Sequence, residues 1–135
     1  MGRERRRQAR YPTDIDGSLY LCGRRDGQRL SNSLDCRVVD FSRSGVGIIS
    51  FKIFVDNQHF FYEALDSDEV LLTLKIATSR NSRDLAALTF LGRPVWFDRI
   101  LDQESKPFKM GIEFLEKISD DEWKLLRELS STEKM

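Results

Sequence analysis

The stretch Leu34-Asp-Cys-Arg-Val-Val-Asp-Phe41, followed by Ser42-Arg-Ser-Gly45 and then Val46-Gly-Ile-Ile-Ser-Phe51, decides how this chain reads. Two β-rich runs flank a short segment whose serines and glycine are the residue types tight turns prefer. Working outward, Gly17-Ser-Leu-Tyr-Leu-Cys22 alternates polar and apolar side chains, the period of a half-buried strand. Further strands fit Glu69 to Thr78, Ala86 to Asp98 and Phe108 to Leu115, with turn signals over 23–32, 79–84 and 102–107. About six strands with no helix between them argue for an antiparallel barrel or sandwich.

One segment carries a strong helix signature. Ser119-Asp-Asp-Glu122 is a capping box opening a helix over about 119–130, with Ile118 and Trp123 placed as its hydrophobic staple. Trp123, Leu125, Leu126 and Leu129 fall within one half of a helical wheel and predict an apolar stripe laid on the strands, with Lys124 and Arg127 facing solvent. Residues 52–68 hold Phe54, Phe60, Phe61 and Tyr62 around His59 and read as a short helix or irregular excursion over one barrel end.

At 135 residues the chain suits one domain with one core. No apolar run approaches the roughly 20 residues that span a bilayer. The N-terminal arginines have no apolar stretch behind them, so no secretory signal or membrane insertion is expected, and a cytoplasmic location is. Cys22 and Cys36 lack metal or redox spacing and fit a reducing compartment.

The 22 basic and 22 acidic side chains cancel, but unevenly. Residues 1–11 hold five arginines and one glutamate, which leaves this arm at +4 and the rest of the chain at −4. A neutral protein with one basic arm suits a compact anion better than a nucleic acid, whose phosphates need a continuous basic face.

Enzyme signatures are missing. His59 is the single histidine and has no nucleophile or second ligand beside it, so neither a catalytic triad nor a metal site is expected. Gly45-Val-Gly47 lacks the third glycine and the following helix of a dinucleotide loop.

Two features remain. The first is Arg5-Arg-Arg-Gln-Ala-Arg10-Tyr11, whose guanidiniums can fork onto phosphate or onto the O6 and N7 acceptors of guanine. The second is Asp40-x-Ser42-x-x-Gly45 at a strand end. Its carboxylate can accept from guanine N1–H and N2–H₂, its hydroxyl can reach a phosphate or hold the turn, and its glycine allows positive φ or close backbone approach. Each alone is matched by a plain alternative, a solvated basic tail or an ordinary hairpin turn.

Together, Arg6-x-x-x-Arg10 and Asp40-x-Ser42-x-x-Gly45 resemble the two-part motif of the PilZ domain family, and Gly111-Ile-Glu-Phe-Leu115 leading into a helix resembles the end of that domain. The resemblance spans residues 5 to about 130. It implies a six-stranded antiparallel β-barrel with a C-terminal helix over residues 12–131, a flexible arm over 1–11, and a receptor for cyclic di-GMP with no other cofactor. Carried over by position, Arg6 and Arg10 bind guanine and phosphate, Asp40, Ser42 and Gly45 form the barrel half of the site, and Arg5 and Arg7 add contacts. Trp96 faces outward if Val95 and Phe97 fill the core, and offers a stacking plate for a base or a contact for the C-terminal helix. The expected action is closure of the arm over the barrel, presenting an altered surface to an unidentified effector protein. The competing reading is an interaction module that works without nucleotide.

Overall fold

In β2 (Leu34–Phe41) Leu34, Cys36 and Val38 are buried while Asp35 and Arg37 are exposed, the period-2 alternation of a strand with one wet face. The other barrel strands are β1 (Tyr11–Gly23), β3 (Gly45–Ser50), β6 (Val70–Ala77), β7 (Ala87–Arg99) and β8 (Phe108–Phe114), of which β3 is buried along most of its length. These six strands close into an antiparallel barrel in the order β1-β2-β3-β8-β7-β6, with β6 returning to pair with β1. Closure leaves no free sheet edge in the barrel. The computed structural model describes residues 10–52, 54–55, 58–66, 68–77, 87–100 and 107–133.

The barrel is filled by Leu19, Leu21, Val38, Phe41, Ile48, Leu72, Leu74, Ile76 and Met110, all essentially sealed from solvent. Transfer of such side chains from water contributes about 1.5–3 kcal/mol each, which makes this interior the main source of stability. Cys36 belongs to it, and its thiol pKa is pushed up to about 12 by burial and, secondarily, by the carboxylates of Asp35 and Asp16.

The segment expected to cover a barrel end does so as a two-stranded ribbon of β4 (Phe54–Val55) and β5 (Gln58–His59) followed by α1 (Phe60–Asp66). Phe60, Phe61 and Ala64 turn into the core, and His59 stacks 4.4 Å from Tyr62 and edge-on to Phe97. Burial lowers the His59 pKa.

The helix α2 (Asp120–Glu133) opens as its cap requires. The Ser119 amide donates to Glu122 Oε1 at 2.8 Å, and the Glu122 amide donates to Ser119 Oγ at 3.1 Å. Leu126 is fully buried and Trp123 and Leu129 pack on the core, but Leu125 lies outside the stripe at 38% exposure. A one-residue step turns a helix by about 100°, so Leu125 and Leu126 cannot both face the barrel squarely. Among the described residues no helix is long and apolar enough to cross a membrane.

Two more expectations fail locally. β1 begins at Tyr11 rather than Gly17, because residues 11–16, which lack clean alternation, are held by pairing with β2. Val95, expected in the core beside Phe97, is 59% exposed. The register shifts between Pro94 and Trp96, so Val95 is an extra residue bulged out of the β7–β8 ladder, and alternation does not carry across it.

Candidate functional site

The site begins with another bulge. Between Val38 and Asp40 the β2–β3 register shifts, which lets both Val38 and Phe41 face inward and turns Asp40 out. Asp40 pairs with Gly47 on β3, Gly47 with Gly111 on β8, and Gly111 with Trp96 on β7. Because Val46, Ile48, Met110 and Ile112 point into the barrel, these four form one transverse row on its outer face.

The middle of that row is bare, and its ends lean inward. A Cβ at Gly47 would meet Asp40 Oδ1 at 2.9 Å, and a Cβ at Gly111 would meet Trp96 Cε2 at 2.5 Å. Glycine at both positions lets a carboxylate and an indole lie low against the sheet from opposite sides. The result is a shallow floor with a hydrogen-bond acceptor at one end and a π-face at the other. Trp96 is 43% exposed, and Lys109 Nζ lies 5.9 Å from its ring centroid.

An open cleft of about 570 Å³ lies on this face, lined among others by Arg10, Gly45, Val95, Trp96, Gly111 and Glu113. The Val95 bulge thus supplies a wall. At the other side Arg10 Nη2 donates to Asp40 Oδ1, pinning the root of the arm to the barrel motif. The next residue, Tyr11, packs on Phe41 and Trp123 at ring separations of 5.9 and 5.2 Å, and Arg127 covers it at 4.8 Å.

Ser42 is only 2% exposed. Its amide donates to the Gly45 carbonyl at 2.8 Å and its hydroxyl accepts from the Ser44 amide at 3.3 Å, so of the two tasks open to it, it holds the turn here. Gly45 is not in the left-handed region; a side chain there would run into the Ile112 carbonyl of β8. The turn is fastened further by the Phe114 amide donating to the Ser44 carbonyl and the Ile118 amide to the Arg43 carbonyl. Arg43 also reaches α2, at 2.6 Å from Asp120 Oδ1 and over the Trp123 ring.

The structure therefore brings Arg10, Asp40, Gly45 and Trp96 to one face, with Ser42 buried in the turn behind it. Arg5, Arg6 and Arg7 lie outside the described residues. The sequence reading missed Gly47, Gly111 and Glu113. The available signal was glycine at outward positions of two strands, which marks a place where something approaches the backbone closely. Among the described residues no group of three or more His, Cys, Asp or Glu side chains could hold a metal.

Among solved structures, the PilZ domain of YcgR from Escherichia coli, determined with c-di-GMP, superposes with a TM-score of 0.56 at 14% identity, covering 96% of this chain and 92% of that one. The Bacillus subtilis inhibitor of motility MotI/DgrA gives a TM-score of 0.47 at 16% identity, over 95% of this chain and 51% of that one. No curated protein matches the sequence. The sequence profile of the PilZ domain matches residues 4–131. With the six-stranded barrel, the C-terminal helix and both half-motifs in order, the chain belongs to the PilZ domain family.

Proposed function

We propose that this chain is a receptor for cyclic di-GMP that works as an adaptor, with the arm of residues 1–11 folding over a barrel of residues 12–131 when the nucleotide arrives. PilZ domains are non-catalytic receptor and adaptor modules, and the chain is not an enzyme. The observation that carries the ligand assignment is the row Asp40–Gly47–Gly111–Trp96 with Arg10 at its rim. It offers a purine a flat seat, an acceptor for guanine's N1–H and N2–H₂, and a guanidinium for phosphate or the guanine Hoogsteen edge.

Arg10 has a second part in this reading. Its guanidinium and the Asp40 carboxylate satisfy each other, which holds both half-motifs in register. The nucleotide gives each a better-matched partner, and Arg5, Arg6 and Arg7 follow as phosphate or base contacts. Ser42 and Gly45 act by fixing the turn that carries Asp40. A closed arm then presents a new surface to an effector protein.

Calorimetric titration of the full chain with cyclic di-GMP tests the assignment. Saturable binding at micromolar concentrations or below is expected, and no heat with no retained nucleotide at high micromolar concentrations would sink it.

A further inference from the structure

Cyclic di-GMP carries two guanines, and Asp40 can read only one of them. A second acceptor stands on the same outer face, in the cleft that adjoins the Asp40 row at Gly111 and Trp96. Glu113 lies on the outward face of β8, two residues beyond Gly111, and lines the cleft together with Trp96 and Arg10. Its neighbours across the sheet are Gly45 on β3, which has no side chain to cover it, and Arg93 on β7.

A cross-strand ion pair with Arg93 would be the plain reason for a glutamate here. The Arg93 guanidinium instead reaches Asp68 Oδ1, at 3.4 Å. Among the described residues the Glu113 carboxylate has neither an ion pair nor a hydrogen bond. A bare carboxylate on the wall of a cleft that takes phosphates repels them, so its use lies with a ligand group that only donates. The Watson–Crick edge of guanine is such a group, with N1–H and N2–H₂ side by side; adenine offers an acceptor at N1 and is disfavoured.

Spacing separates the two carboxylates by function. From Asp40 to Glu113 the sheet steps across two strands and along two residues, about 12 Å between Cα atoms at the usual strand spacings. One base edge cannot bridge that gap, whereas two bases of one cyclic dinucleotide can be divided between the ends. We propose that Glu113 is a second guanine-reading residue, a specificity determinant of the cyclic di-GMP site that rests on the receptor reading above.

The test is a cycle between residue and base, using the full chain, its Glu113→Ala and Glu113→Thr variants, cyclic di-GMP, and the hybrid cyclic dinucleotide with one guanine and one adenine. Both variants sit at an exposed strand position, and threonine keeps β-propensity should alanine fold poorly. Loss of a base-reading pair should weaken cyclic di-GMP roughly tenfold to a hundredfold. The hybrid should lose distinctly less, because it can place its guanine at Asp40 and its adenine at position 113. Equal losses for both ligands, the signature of a general electrostatic or arm contact, would overturn the role of Glu113, as would no loss at all. A wild-type chain that binds neither ligand overturns the receptor reading itself and this inference with it.

Discussion

The indole of Trp96 occupies the space above Gly111, so that a methyl group there would fall 2.5 Å from Cε2. The absent side chain on the neighbouring strand lets the ring lie low, with Lys109 Nζ 5.9 Å from its centroid. Gly111→Ala must therefore lift the indole out of the cleft floor. Because Trp96 is half exposed and free to swing, the stability loss should be near the lower end of the about 1–3 kcal/mol usual for overpacking. Cyclic di-GMP affinity should fall much as in Trp96→Ala, where one lost stacking plate costs about 1–3 kcal/mol. Chemical denaturation and calorimetry on the two variants separate these effects; full affinity in Gly111→Ala would show that the ring is not used.

Arg10→Ala should divide binding from stability. The Arg10–Asp40 pair is partly exposed, and such pairs contribute about 0–1 kcal/mol to folding, so the unfolding midpoint should barely move. Nucleotide binding should drop at least about tenfold, through loss of a charge-assisted contact. Thermal scans with and without cyclic di-GMP check both halves: the ligand-induced upward shift in midpoint should shrink at a given nucleotide concentration while the midpoint without nucleotide stays.

Trp123→Ala should do the reverse. Trp123 lies 5.2 Å from Tyr11, 5.3 Å from Phe41 and beneath Arg43, so it joins α2 to the arm root and to the motif turn. Removing a partly buried aromatic of this kind should cost about 2–4 kcal/mol. Hydrogen exchange should show α2 opening more readily than the barrel strands, and nucleotide affinity should fall only as a consequence. Trp123→Phe should recover most of the stability.

Cys36 sets a dependence on alkaline pH. Its folded-state pKa of about 12 lies above the ordinary 9.0, so the folded chain holds this proton more tightly than the unfolded chain. Below about pH 9 the thiol is protonated in both states and contributes no slope. Between about pH 9 and 12 only the unfolded chain loses the proton, and stability falls by up to about 1.4 kcal/mol per pH unit from this group. Cys36→Val should lack that share of the slope, which urea denaturation at pH 7.5 and 10 would reveal as a shrinking difference from wild type. At neutral pH a thiol reagent should modify Cys36 no faster than the barrel opens.

Strand positions were legible wherever one face is wet and the other buried. The runs Leu34–Phe41 and Phe108–Phe114 alternate in sequence, Val70–Ala77 is buried on both faces over residues 71–74, and all three lie within a residue or two of where their patterns put them. The capping box at Ser119 and Glu122 was legible because it is made within four residues. Residues 11–16 and Val95 were not, since pairing partners and a bulge decide them, and neither leaves a local pattern.

The sequence by itself determined the six barrel strands, the start of α2 and the two half-motifs with their order, because these rest on local periodicity, turn chemistry and cap geometry. Only the tertiary structure decided that Asp40, Gly47, Gly111 and Trp96 share one row, and that Glu113 stands beside it without a partner among the described residues. The reason is register. Which residues of four strands become neighbours depends on two bulges and on barrel closure, and these follow from the whole hydrophobic interior settling at once.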